Sequence, residues 1–154
     1  MFKLITRLAQ FASTTCILLF IYMVYAFADM TEFDLITELS FIIIQPIIGL
    51  ILTFLTTSCC YLIGLPLRLN QKVKTWWLER QFIPAFGLIA GIVLILLSFY
   101  SQFTHLEIVT LDSGTVEKRV PNFTLAIIGW FTIAFALLHF YPFHFFKYSK
   151  KALK

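Results

Sequence analysis

LSFIIIQPIIGLILTFLTTSCCYLIGLPL, residues 39–67, runs for 29 residues without an Asp, Glu, Lys or Arg. A helix crossing the hydrocarbon core of a bilayer needs about 20 consecutive apolar residues. At about 1.5 Å per residue this run would reach about 43 Å if wholly helical, so it can span with length to spare. Three further runs share its lack of charge: Leu8–Ala28, Gln81–Thr104 and Val120–Phe146. The chain has 154 residues and is 60% hydrophobic, so little remains beyond short tails and loops, and there is no room for a separate soluble domain. The expected fold is an all-α membrane protein, one four-helix transmembrane domain over 1–154, with spans at about 8–28, 41–65, 82–103 and 122–144.

The charges sort to opposite sides of this map. Ten of the twelve Lys and Arg residues lie on one side: Lys3 and Arg7 at the N-terminus, Arg68, Lys72, Lys74 and Arg80 in or beside the 66–81 loop, and Lys147, Lys150, Lys151 and Lys154 in the 147–154 tail. The first loop on the other side, 29–40, carries Asp29, Glu32, Asp34 and Glu38 and no base; the second, 104–121, carries Glu107, Asp112 and Glu117 with Lys118 and Arg119. Positive charge is retained on the cytoplasmic side during insertion, so both termini and the middle loop are expected in the cytoplasm. The first span also resembles a secretion signal, because Ala26-Phe27-Ala28 precedes Asp29. Its uncharged run is longer than a usual signal core, and an uncleaved anchor is expected. The net charge of +4 comes from bases flanking helix ends, which points to anionic inner-leaflet lipid rather than to direct nucleic-acid binding.

Inside the opening stretch, Pro46 is expected to kink the outer end, and Gly64-Leu65-Pro66 to stop the helix before Arg68. Gln45, Gly49, Thr53, Thr56, Cys60 and Gly64 recur every three or four residues and share one face of small or weakly polar groups. Such a face lets backbones approach and hydroxyls bond across helices. Packing within the bundle is the first reading; a subunit interface and the lining of a pore are the alternatives. Gly87 and Gly91, with Ser98 seven residues on, repeat the pattern in the third span. Tyr22 and Tyr25 near one boundary, and Trp76 and Trp77 near the other, read as interfacial anchors.

The segment Arg68–Arg80 mixes bases with Leu69, Val73, Trp76 and Trp77. It is expected to form a short amphipathic helix on the inner surface, where Arg68, Lys72, Lys74, Trp76, Trp77 and Arg80 meet lipid or a partner. In the second outer loop, Ile108-Val109-Thr110 and Thr115-Val116 flank Asp112-Ser113-Gly114-Thr115, the pattern of a small β-hairpin. Asp29, Glu32, Asp34, Glu38, Glu107, Asp112 and Glu117 are then the candidate outer sensing residues.

Little in the chain points to catalysis. No ionisable Asp, Glu, Lys or Arg interrupts a span, and such residues are where proton relays and intramembrane chemistry begin. Cys16, Cys59 and Cys60 lack ligand or disulfide spacing. His139 and His144, five residues apart, do not share a helix face, and His139 reads as a hydrogen-bonded packing residue. No phosphate-cradling loop or nucleophile elbow is present. Neither an enzyme, a metal site nor a cofactor is expected.

In size, four spans, inward termini and the short cytoplasmic segment Arg68–Arg80, the chain resembles the small four-span membrane subunit of the Kiwa antiphage defence system. That resemblance implies a homo-oligomeric sensor in the bacterial inner membrane that docks a cytoplasmic DNA-binding effector. The outer segments Asp29–Glu38 and His105–Val120 would then detect envelope disturbance. The chain is also similar to immunity proteins against pore-forming colicins, in its charged outer loop Glu107–Arg119, its aromatic last span with Pro142-Phe143 and its basic tail Lys147–Lys154. This second resemblance implies interception of a toxin's helices within the membrane. A small oligomeric pore is the third reading.

Overall fold

In a computed structural model, residues 2–29, 38–100, 102–111 and 114–140 are described. The protein is mostly helical, and the first uncharged run becomes one continuous helix, α1 (Phe2–Asp29). The opening stretch starts as a π-helical turn over Ser40–Ile44 and continues as α2 (Gln45–Ile63). Pro46 accounts for the wide turn. It has no N–H to offer the carbonyl four residues back, and the Gln45 N–H bonds five residues back, to Ser40 O. At the other end α2 stops at Gly64, as the Gly-Leu-Pro signal implied. The chain then takes one further helical turn, α3 (Leu65–Leu69), before Asn70.

Asn70 starts α4 (Gln71–Glu79), its side-chain oxygen accepting from the backbone N–H groups of Lys72 at 3.0 Å and Val73 at 3.4 Å. This capping satisfies donors that the first turn of a helix cannot pair internally. The expected amphipathic helix is therefore present, and it leaves the next helix, α5 (Phe82–Ser98), at an angle of 68°. The 104–121 segment forms the expected hairpin: β1 (His105–Leu111) pairs antiparallel with β2 (Gly114–Val120), Ile108 opposite Glu117. The last helix is α6 (Phe123–His139), capped by the Asn122 side chain on Thr124 N and Leu125 N.

Two helices, Ile5–Phe27 of α1 and Ser40–Ile63, are long and apolar enough to cross a membrane, and the bent pair α4–α5 raises the number to three if it is one span. Helix α5 ends at Ser98, inside the expected 82–103 stretch, and α6 ends at His139, with residues 141–144 of the expected 122–144 stretch outside the described residues. At the first of these ends the chain tightens, Phe99 and Tyr100 N–H bonding three residues back to Leu96 O and Leu97 O, while Ser98 O accepts from Asn122 N at 2.9 Å. At the second, Phe140 is extended (φ −84°, ψ 126°). Pro142, two residues on, has no N–H for the Leu138 carbonyl and disfavours helical backbone in the residue before it.

The most buried helix is α6, which contributes Ile133, Ala134 and Leu138 to a core completed by Leu18 of α1 and Cys60 of α2. It crosses α5 where two glycines meet: a Cβ on Gly129 would lie 2.8 Å from Gly91 O, and one on Gly91 3.0 Å from Gly129 O. The outside of the bundle is apolar, with Phe20, Ile42, Phe86 and Leu96 all exposed. A surface of this kind is unfavourable in water and suits contact with lipid.

Candidate functional site: the junction at the end of α6

The last four carbonyls of a helix have no partner within it, and in apolar surroundings each unpaired group costs several kcal/mol. Three side chains from three other elements meet this need at the end of α6. The Gln10 amide of α1 donates to Leu137 O at 2.8 Å and to Phe140 O at 2.9 Å. The Arg68 Nη2 of α3 donates to Leu138 O at 3.1 Å, and the Trp77 Nε1 of α4 donates to His139 O at 2.9 Å. Four consecutive carbonyls, 137–140, are thereby bound from outside the helix. The guanidinium of Arg68 gains further from the negative end of the helix dipole and lies over the Tyr61 ring at 4.0 Å from its centroid.

At the centre of this junction is His139, fully buried. Its ring stacks on Phe135 at 4.3 Å between centroids, meets Trp77 edge-on, and its Nδ1 is 2.8 Å from Phe135 O. Nε2 faces the backbone of Gly64 so closely that a Cβ there would land on the imidazole. His139 is thus a wedge among α2, α4 and α6. The junction binds helix ends together.

The small-residue face of α2 is used inside the chain. Tyr22 OH donates to Gln45 Oε1 at 2.6 Å, Tyr22 and Leu19 fill the space over Gly49, and Thr53 is buried. Trp130 Nε1 donates to Thr56 Oγ1 at 3.2 Å, Cys60 Sγ reaches Phe131 O at 4.0 Å, and Gly64 meets His139. The face therefore divides between α1 and α6. In α5, Gly91 has the close crossing, whereas a Cβ on Gly87 would lie at an ordinary 3.7 Å from Ala136 Cβ. Ser98 bonds Tyr25 OH and donates to Ile95 O at 2.6 Å.

On the inner segment Lys72, Lys74, Trp76 and Arg80 are exposed, with Arg80 over the Trp76 ring at 4.6 Å. Arg68 is half-buried. Trp77 corrects the sequence reading: it is 8% exposed, and its indole N–H is bound within the junction rather than turned to lipid or a partner. Tyr22 and Tyr25, expected as interfacial anchors, likewise make hydrogen bonds inside the bundle. Of the acidic candidates, Glu38, Glu107 and Glu117 are exposed, and the backbone of Asp29 ends α1. Glu32, Asp34, Asp112, His144 and the 147–154 tail lie outside the described residues. The outer and inner candidates are not brought together. They occupy opposite ends of α6, about 25 Å apart along 17 helical residues.

Sequence reasoning missed Gln10, the residue that ties α1 to the end of α6. A lone amide in an apolar run was the available signal, but its partners lie 127 and 130 residues away. Among the described residues, no group of three or more His, Cys, Asp or Glu is placed to hold a metal ion. Comparisons with protein-family models, curated proteins and solved structures found no match to the chain. The two resemblances therefore rest on the sequence pattern alone.

Proposed function

We propose that the protein is a non-enzymatic sensor and anchor of the bacterial inner membrane, which relays events at its outer hairpin to a basic inner surface where a cytoplasmic effector docks. The observation that carries this reading is the connection made by α6. At one end only Pro121 and Asn122 separate the helix from β2, and Asn122 both caps α6 and bonds the end of α5. At the other, carbonyls 137–140 are bound by α1, α3 and α4. A shift of the hairpin that moves α6 along its axis must break or carry those bonds, and with them the segment bearing Lys72, Lys74 and Arg80.

The reading takes the chain as four spans with both termini cytoplasmic. The outer acids and inner bases support that orientation. Helices α5 and α6, at about 25 Å each, are somewhat short for a core of about 30 Å. Cysteine labelling tests the arrangement: Thr115→Cys is expected to react from outside intact cells, and Lys72→Cys only after permeabilisation. The function is tested by purifying the full chain from its native host in mild detergent. A soluble DNA-binding protein is expected to accompany it and to be lost when Lys72, Lys74 and Arg80 are all changed to Gln. Recovery of only this chain and lipid, or undiminished binding by the triple variant, would overturn the docking role.

A further inference from the structure

The hairpin has two unlike edges. β2 carries three consecutive charges, Glu117-Lys118-Arg119, the kind of edge that resists pairing with another strand. β1 reads HLEIVTL, with Glu107 as its only Asp, Glu, Lys or Arg, and Leu106 and Ile108 are 62% and 69% exposed. Among the described residues the sheet has only these two strands, and an isolated two-stranded hairpin is at best marginally stable in water. Among the described residues, no further strand covers this apolar edge.

We propose that β1 pairs antiparallel with β1 of a second copy, about a two-fold axis through Ile108, forming a four-stranded sheet with the order β2–β1–β1–β2. In this register Ile108 meets Ile108, Leu106 meets Thr110 of the second copy, and Glu107 meets Val109, so no like charges face each other. Self-pairing of β2 about Glu117, Lys118 or Arg119 sets identical charges opposite one another, which is destabilising. Charge also argues against the acidic 29–40 segment as the covering of β1. Its four carboxylates suit the Lys118-Arg119 edge and are repelled by Glu107.

Membrane symmetry adds a constraint. Copies inserted in the same direction are related by an axis along the membrane normal, and antiparallel edge pairing places its two-fold axis perpendicular to the sheet. The four-stranded sheet must then lie flat over the membrane. The two His105 roots fall about 20 Å apart at about 3.3 Å per residue. That is about two helix diameters of about 10 Å, enough for two bundles to stand side by side. The proposal rests on the reading that residues 105–120 of every copy lie on the same side of one membrane.

Disulfide trapping in intact membranes tests it. In the full-length chain with Cys16, Cys59 and Cys60 replaced by Ala, Ile108→Cys is expected to give a dimer on mild oxidation, and mixed Leu106→Cys and Thr110→Cys copies a heterodimer. Thr115→Cys, on the charged strand, is expected to give several-fold less. A charge at the edge, Ile108→Lys, is expected to convert the detergent-solubilised dimer to monomer by light scattering while Thr115→Cys still labels from outside. Four outcomes overturn the proposal: equal trapping at Thr115, trapping at no position, an intrachain link to the 29–40 segment, and a particle mass unchanged by Ile108→Lys. Labelling from the inside would instead overturn the topology, so the two failures are distinguishable. Effector docking is read separately and can stand or fall without this contact.

Discussion

Replacing Gly64 by Ala tests whether His139 is the wedge that joins α2 to α6. The new Cβ lands on the imidazole, and even Cδ2, the farthest of the three nearest ring atoms, is only 2.8 Å away. The ring cannot yield easily: Phe135 stacks on it at 4.3 Å, Trp77 blocks it edge-on, and Nδ1 is held at 2.8 Å from Phe135 O. Overpacking costs about 1–3 kcal/mol, and confinement on several sides places this substitution near the upper end, about 3 kcal/mol. At about 2–4 °C per kcal/mol for a chain of this size, the melting midpoint is expected to fall by about 6–12 °C. His139→Ala removes the obstacle at the cost of a cavity, about 2–4 kcal/mol. In the double variant the methyl introduced at position 64 enters that cavity, so the total cost is expected to be at least about 1 kcal/mol below the sum of the singles. The assay is reversible unfolding in detergent micelles, followed by tryptophan fluorescence. If the two losses add within about 0.5 kcal/mol, the residues do not share a contact and the wedge is refuted.

Gln10→Leu keeps the bulk of the side chain but leaves Leu137 O and Phe140 O without their donor. It is expected to destabilise by about 1–3 kcal/mol per carbonyl, read in the same unfolding assay. Trp77→Phe removes the N–H bound to His139 O and is expected to cost about 1–3 kcal/mol; a neutral result would show that this cap is dispensable. Gly129→Ala meets backbone at 2.8 Å whereas Gly87→Ala meets Ala136 Cβ at 3.7 Å and Thr132 Cγ2 at 4.0 Å, both ordinary contacts, so monodisperse yield is expected to collapse for the first and hold for the second. Thr15→Val is expected to cost under about 1 kcal/mol, because its hydroxyl already bonds Phe11 O at 3.0 Å and reaches Thr57 at a longer 3.3 Å.

The helices were legible because uncharged length and local breakers act within a few residues. Pro46 and Gly64 act within a turn of themselves, and the β-branched stretches that pair as β1 and β2 are close neighbours along the chain. The ends of α5 and α6 were less legible. An uncharged run can continue past the point where a helix has found other partners, as at Ser98, whose carbonyl accepts from Asn122. The α2 face is legible in the sequence as a set of small and weakly polar residues, but periodicity cannot say which neighbour covers it. The roles of Gln10 and Trp77 were out of reach for a related reason: each bonds the end of a helix far away along the chain.

By itself, the sequence determined a mostly helical protein with helices apolar enough to cross a membrane, a β-hairpin and a short basic helical segment, because hydropathy, charge and turn chemistry are local properties. Only the tertiary structure decided that Tyr22 and Leu19 cover Gly49, that Gly91 and Gly129 are the crossing point, and that Gln10, Arg68 and Trp77 close the end of α6. Those assignments depend on which helix lies beside which. Apolar side chains attract one another with little specificity, whereas an unpaired carbonyl in an apolar setting must find a donor wherever the fold places one.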